Sequence, residues 1–407
     1  MTVALVTPKH EFTLEDHQFM ARAIALAKKG HYTVSPNPRV GCVLVNQGKI
    51  IGEGYHQKAG EGHAEVNAIR DAKQKNPTLI KGATAYVTLE PCSHFGRTPP
   101  CAQGLIDVGV SKVISAMVDP NPQVSGNGIA MLAQAGIETQ SGLLETAARA
   151  LNVGFIKKMT TTLPFVRCKL AASLDGKTAM HSGESKWITQ GAARKDVQRL
   201  RAQSCAIITG CDSIISDNAK MTVRYSELGE LQKSYPEDKL RQPLRVVIDS
   251  QNRLTPELAF FQQPSPILII RTELENLRTW PHYVEQVQVT SVKESNTDNN
   301  TDNNTTKVDL KALLALLATR GINDVLLESG ARLAGAFFEQ NLVDELILYQ
   351  APKLLGGDGK NLVEMPSITE LAKTKQLSIN EVVMVGADIR ITAKVNSANN
   401  TASNTHH

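Results

Sequence analysis

A chain of 407 residues with an apolar fraction of 42% and a formal net charge of +4 is long enough for two or three ordinary domains, each with its own core. No segment approaches the roughly 18 uninterrupted apolar residues of a membrane span, and the first residues lack a basic stretch leading into an apolar one, so a cytoplasmic protein with no membrane association is expected. Six scattered cysteines give no disulfide framework, and the mild positive charge suits phosphorylated small molecules without arguing for nucleic acid.

Thr13 caps a predicted helix over TLEDHQFMARAIALAKKG that Gly30 stops, and strands RVGCVLV and KIIGEGYH follow. A helix begins near His63. Strand TAYVTLEP, a cysteine loop, a helix from about Cys101 to Gly109, strand KVISAMV, helix GNGIAMLAQAG and strand IETQSG continue an alternating α/β pattern. One helix from about Leu144 to Lys158 leads out of it. Beyond MTTTLP the alternation restarts with strand FVRCKLAAS, helix ARKDVQRLRAQ and strands CAIITG, LRVVIDS and ILIIR. Helix LKALLALLATRG, strand DVLLESG, helix ARLAGAFFEQN and strand ELILYQAPKLLG complete it. A first domain over residues 1–160 and a second over 161–396 are therefore expected. Residues 294–307 (ESNTDNNTDNNTTK) and 397–407 have too little apolar surface to pack, and read as a disordered insertion and a polar tail.

Within the first pattern, GEGHAEVNAI and LEPCSHFGRTPPC bring His63, Cys92 and Cys101 into two compact segments. Two thiolates and an imidazole suit a tetrahedral zinc whose fourth position stays open, the ligand count of a catalytic site. Glu65, at the expected helix start, can stand beside the metal without coordinating it and carry protons. An isolated histidine is more often a packed or surface side chain, and a single cysteine an inert core residue. Here, however, His-x-Glu at a helix start and Pro-Cys after a strand reproduce the H-x-E…P-C…C arrangement of the zinc deaminases.

At these residues the chain resembles the cytidine-deaminase superfamily, with one departure: its second cysteine lies far beyond the usual C-x-x-C spacing. The insertion SHFGRTPP between the cysteines, with SPNPRVGCVLV upstream and DPNPQVSGNG downstream, resembles the bacterial family of bifunctional riboflavin-biosynthesis enzymes, from about Glu15 to Val395. The resemblance implies a cytidine-deaminase-like three-layer α/β/α domain followed by a dihydrofolate-reductase-like α/β domain. It implies one zinc per chain on His63, Cys92 and Cys101, with Glu65 as proton shuttle. Asn37, Arg97, Asp119 and Asn121 would lie around the pyrimidine and its ribose phosphate, although Asn-Pro and Asp-Pro-Asn-Pro also punctuate ordinary loops. The implied reaction is hydrolytic deamination of a diaminopyrimidinone carrying a 5-phosphoribosylamino group.

The second pattern contains neither G-x-G-x-x-G after a strand nor a P-loop, so local motifs alone leave its role open. KLAASLDGKTAMHSGESKWIT, RLRAQSCAIITGCDSIISDNAKMTVR, VVIDSQNRL, LLESGARLAGAFFE and APKLLGGDGK resemble the reductase half of the same family. By that resemblance NADPH is contacted by Ala171, Trp187, Ser213, Asp217 and Ser250, with the turn Gly330, Ala331, Arg332, Leu333, Ala334, Gly335 and Ala336. The substrate is contacted by Ser185, Arg201, Met221, Arg224 and Glu328. Small residues where strand gives way to helix would let N–H groups approach a pyrophosphate. Arg201 and Arg224 can hold the ribose phosphate through bidentate bonds, although an arginine on an amphipathic helix such as DVQRLRAQ is often a solvated one. Lys169 and Glu328, at strand ends, are assigned to orienting the opening sugar for hydride transfer to C1′; for Lys169 the alternative is a surface lysine on an edge strand. Two rival readings are a nucleic-acid deaminase, which would show C-x-x-C and a basic or aromatic groove, and a C-terminal domain that only binds a ligand or drives assembly. A homo-oligomer is expected.

Overall fold

The computed structural model describes residues 11–94, 99–293 and 306–396. They fall into two compact units that divide the chain between Thr161 and Thr162.

The first unit runs α1 (Leu14–Lys28), β1 (Gly41–Asn46), β2 (Lys49–Tyr55), α2 (Ala64–Lys75), β3 (Thr84–Val87) and α3 (Cys101–Asp107). It continues with β4 (Lys112–Ser115), α4 (Asn127–Gln134), β5 (Glu138–Ser141), α5 (Glu145–Leu151) and α6 (Val153–Thr161). Its sheet has the order β2-β1-β3-β4-β5, antiparallel at β1 with both neighbours and parallel from β3 to β5. Thr13 opens α1 with a reciprocal capping box to Asp16. The alternation of β1 splits the core in two. Cys42 and Leu44 pack with Ala68, Ala102 and Leu132 of α2, α3 and α4, while Val43 and Val45 pack with Met20 and Ala23 of α1 and Ala148 of α5. That is the three-layer arrangement expected. Helix α2 lies almost flush on β2 because glycines face it: a Cβ at Gly54 would stand 2.3 Å from the Ala64 carbonyl oxygen, and one at Gly52 2.5 Å from that of Ala68. Nothing larger than glycine would let the first turn of α2 settle there.

The helix expected over Leu144–Lys158 is broken at Asn152 into α5 and α6. Asn152 is 3% exposed, and its side chain mimics a strand partner for Arg39, accepting its N–H at 2.7 Å and donating to its carbonyl at 2.9 Å. An asparagine engaged this way competes with helical backbone bonding.

The second unit opens with β6 (Phe165–Ser173), β7 (Lys177–Ala179), α7 (Gly191–Gln203), β8 (Ala206–Gly210), α8 (Cys211–Asp217) and α9 (Leu231–Ser234). Next come β9 (Leu244–Ile248), β10 (Ile267–Arg271), β11 (Val284–Gln288), β12 (Ser291–Lys293), β13 (Thr306–Val308) and α10 (Leu310–Thr319). It ends with β14 (Asp324–Glu328), α11 (Ala331–Glu339), β15 (Glu345–Ala351), β16 (Lys360–Asn361), β17 (Leu377–Val385) and β18 (Asp388–Val395). Nine strands form one sheet in the order β11-β10-β9-β8-β14-β6-β15-β18-β17. It is parallel from β11 to β15 and antiparallel through the β18–β17 hairpin. The central strands β14 and β8 are buried almost throughout, as strands covered on both faces must be.

The expected strand ELILYQAPKLLG stops at Ala351, where Pro352 has no N–H to continue the ladder. Helices α8 and α9 and strands β7, β11, β12, β16, β17 and β18 lie beyond the expected elements. Thr306 and Lys307, read from sequence as part of the polar insertion, pair as β13 with β12 in antiparallel register. The remainder of that insertion and the 397–407 tail lie outside the described residues. Among the described residues no helix is long and apolar enough to cross a membrane.

Candidate active sites

Two helix starts and one strand end build the first site. His63 is the N-cap of α2 and Cys101 the first residue of α3, while Cys92 follows the continuation of β3. Their ligand atoms all lie within 4.8 Å of one another. His63 Nδ1 stands 3.3 Å from Cys101 Sγ and 3.6 Å from Cys92 Sγ. Tetrahedral zinc with Zn–S near 2.3 Å and Zn–N near 2.0 Å separates adjacent ligand atoms by about 3.5 to 3.8 Å, so the donor set and its spacing fit that metal. The Cys101 thiol, then His63 and the Cys101 backbone N–H that donates to Cys92 Sγ at 3.3 Å, hold the Cys92 thiol well below its usual range against its burial; the same pairing drives Cys101 upward. Hydrogen bonding to Cys92 in turn raises His63. Glu65 is 3% exposed in the first turn of α2, and burial, with the charge at Cys92, pushes its carboxyl up to about 7. It stands outside the three-residue ligand cluster.

Asn37 lies at the rim of the same unit and donates to His56 Nε2 at 3.1 Å, while His56 Nδ1 faces the Gly62 carbonyl at 3.2 Å. The two bonds fix the His56 tautomer, with its ring edge-on to that of His63 at 5.3 Å between centroids. Asp119 and Asn121 form successive turns: Asp119 Oδ1 accepts from Asn121 N at 2.8 Å and Asn121 Oδ1 from Gln123 N at 3.1 Å. Burial raises the Asp119 carboxyl. Arg97 lies outside the described residues. Two further residues belong here that sequence reasoning passed over. His56 offered only a lone histidine in a strand pattern, and Glu90 only an acid before Pro-Cys; the partners of both are fixed by the fold.

In the second unit Lys169, Glu328 and Arg201 come together from the middle of β6, the end of β14 and the last turn of α7; Lys169, expected at a strand end, lies mid-strand because β6 runs on to Ser173, and is register partner to Glu328. Arg201 forks onto Glu328, Nε to Oε1 at 2.6 Å and Nη2 to Oε2 at 3.0 Å, and Lys169 Nζ is 3.9 Å from Oε2. Lys169 is no edge-strand lysine, because β6 lies between β14 and β15. Burial lowers its ammonium pKa against the pull of Glu328. Burial works against the Glu328 carboxylate as well, but the Arg201 and Lys169 charges prevail and hold it below its usual range. Arg201 also donates to the Thr222 carbonyl at 3.0 Å and meets Met221 Sδ at 3.4 Å. Arg224 is more open: its side chain is 45% exposed and forks onto Glu227 at 2.6 and 2.8 Å.

Gly330 is the N-cap of α11 and brings no side-chain cap, so the first N–H groups of a nine-residue helix have none from that position. A Cβ at Gly330 would meet only Ser213 Oγ, at 3.9 Å, so the bare start of α11, the kind of helix terminus that accepts a phosphate, lies next to another of the expected NADPH contacts. Further along the same turn Ala334 is fully buried, and Gly335 packs so tightly that a Cβ would stand 1.7 Å from the Glu364 carbonyl oxygen. Arg332 points outward. Trp187 is 63% exposed beneath the Arg194 guanidinium, 4.5 Å from its ring centroid, and its carbonyl accepts from Lys353 Nζ at 3.0 Å. Asp217 accepts from Lys186 Nζ through its carbonyl at 3.3 Å, and Ser250 from Thr272 Oγ1 at 3.2 Å. Ala171 and Ser185 are half-buried.

Residues 13–117 match the family described as the cytidine and deoxycytidylate deaminase zinc-binding region, and residues 164–390 match the RibD C-terminal domain. Fold and site thus define a zinc-dependent deaminase joined to a reductase. The chain is 50% identical over 377 residues to the riboflavin biosynthesis protein RibD of Escherichia coli (strain K12), covering 92% of this chain and 98% of that one. It superimposes on Acinetobacter baumannii RibD with a TM-score of 0.82 at 40% identity, covering 94% of this chain and 99% of that one. A Thermotoga maritima structure, described as a diaminohydroxyphosphoribosylaminopyrimidine deaminase/5-amino-6-(5-phosphoribosylamino)uracil reductase, gives 0.79 at 32% identity, with 94% and 99% covered. The chain belongs to the RibD family of bifunctional riboflavin-biosynthesis enzymes. Its deaminase domain is zinc-binding, and its reductase domain is consistent with NADPH use. That membership favours two activities over both rival readings.

Proposed function

We propose that the chain deaminates 2,5-diamino-6-(5-phosphoribosylamino)pyrimidin-4(3H)-one and then reduces the ribosyl side chain of the product to give 5-amino-6-(5-phosphoribitylamino)uracil. The observation that carries the reading is the close His63, Cys92 and Cys101 cluster with Glu65 buried beside it. Zinc held by those three residues supplies Lewis acidity that makes water nucleophilic near neutral pH. Glu65 carries the proton of the attacking water to the ring nitrogen and then to the departing amine. Asn37, Arg97, Asp119 and Asn121 address the pyrimidine and its ribose phosphate.

For the second step, NADPH supplies the hydride. Ala171, Trp187, Ser213, Asp217, Ser250 and the Gly330–Ala336 turn would hold it. Lys169 and Glu328 orient the opened sugar, Ser185 and Met221 line its site, and Arg201 and Arg224 serve the phosphate. The protein works in the cytoplasm on small molecules, with no nucleic-acid partner, and as a homo-oligomer. A row on β17 supports the last point: Leu377, Ile379, Val382 and Met384 are 42%, 64%, 59% and 65% exposed on one face of an edge strand, the surface a second copy would cover.

The test is sequential. The purified chain should release ammonia from the diaminopyrimidinone before NADPH is oxidised, and Glu65→Gln should oxidise NADPH only when given the already deaminated pyrimidine. NADPH oxidation by Glu65→Gln on the original substrate would overturn the order of steps.

A further inference from the structure

Glu90 lies between the end of β3 and the zinc ligand Cys92. It is 5% exposed, and its carboxylate accepts four backbone N–H groups. Asp119 and Gly126 donate to Oε2 at 3.0 and 2.9 Å, and Gly128 and Ile129 to Oε1 at 2.8 and 3.3 Å. Three of these are the N-cap, N2 and N3 amides of α4, whose own N-cap, Gly126, has no side chain to offer. Glu90 supplies the missing cap from another element, and its negative charge faces the positive end of the helix.

The same junction is closed from the other side. Gly128 presses on the residue next to Cys92 so tightly that a Cβ there would stand 1.9 Å from the Pro91 carbonyl oxygen. The fourth donor, Asp119, begins the turn that leads to Asn121. One carboxylate therefore ties together the Cys92 segment, the start of α4 and the Asp119–Asn121 turn.

We infer that Glu90 is a positioning residue of the deaminase, holding the Asp119–Asn121 turn against the Cys92 segment so that the pyrimidine meets a preformed site. The inference rests on the proposed role of Asp119 and Asn121 as substrate contacts. A carboxylate can accept all four donors. Glutamine keeps the shape but turns an NH2 group against some of them, loosening the turn. His63 and Cys101 stand on their own helix starts, so zinc should stay.

The experiment uses the full chain loaded with zinc. Glu90→Gln should retain one zinc per chain and raise the deaminase KM about 10- to 100-fold with kcat nearly unchanged, the scale expected when a contact group is misplaced. NADPH oxidation on the deaminated pyrimidine should not change. Glu90→Asp, which keeps the charge with a shorter reach, should fall between the two and decides the matter if Glu90→Gln is insoluble. An unchanged KM, or zinc lost in proportion to activity, would overturn the positioning role. Asn121→Ala separates the two ideas: if it raises KM and Glu90→Gln does not, positioning fails alone, and if neither does, the substrate reading of the turn fails as well.

Discussion

Glu65 and Cys92 are only 27 positions apart in the chain yet should fail in different ways. Glu65→Gln removes the proposed proton carrier but no member of the ligand cluster, so zinc should remain stoichiometric while deamination slows by a factor on the order of 10² to 10⁴. Cys92→Ala should lose the metal too, and metal analysis of the two purified variants checks both outcomes. In the proposed role Arg224 would give up a solvent-facing fork with Glu227 to meet the phosphate. A charge-assisted contact of about 1.5 to 3 kcal/mol predicts that Arg224→Ala raises the reductase KM for phosphorylated substrate about 10- to 100-fold. An unphosphorylated analogue should be nearly unaffected. Glu328 is the residue whose pH dependence can be signed. Its folded-state pKa is depressed, so the unfolded chain binds the extra proton in the acid range; the contribution is complete above about pH 4 to 5 and fades as pH falls through the folded value. Glu328→Gln should flatten that part of the urea-midpoint profile and cost about 3 to 5 kcal/mol at neutral pH, because Arg201 and Lys169 lose a buried partner. The zinc triad was legible in the sequence because its residue types are scarce and its spacing is chemical. Glu90 and His56 were not: a carboxylate bonded to amides 29 to 39 positions away leaves no local pattern.

At the scale of elements, Asn152 shows how one side chain can end a helix and mend a distant backbone. Asn152→Ala would leave the Arg39 N–H and carbonyl without those bonds inside the protein, which should cost about 1 to 3 kcal/mol in denaturant titration. Helical periodicity ran through this position, which is why the sequence suggested one helix from Leu144 to Lys158. Central strands such as β8 and β14 were readable as short apolar runs between turns. β17 was not, because Val382, Val383, Met384 and Val385 run together without the alternation of a half-buried strand. Its exposed row should be where copies meet: Ile379→Lys with Met384→Lys should shift the chain toward monomer by light scattering, and an unchanged mass would remove that face from the interface.

For the whole molecule, the proposed zinc ligands lie before Thr161 and the proposed NADPH contacts after it, in units with separate cores. A fragment of about residues 1–160 should therefore release ammonia without oxidising NADPH, and one from about 161 onward should reduce deaminated pyrimidine without zinc. Soluble fragments that work only when recombined would mean that one site draws on both halves.

The β12–β13 pair has a practical side. Ser291 pairs with Val308 and Lys293 with Thr306, so the two residues that flank 294–305 are register partners across the sheet. Whatever joins them spans almost no distance, and doubling the length of a flexible connection costs only about 0.6 kcal/mol. This is the natural port for cargo: a fluorescent protein or an affinity handle, its own termini close together, could replace residues 294–305 and report on the enzyme in cells with the β12–β13 pair kept intact.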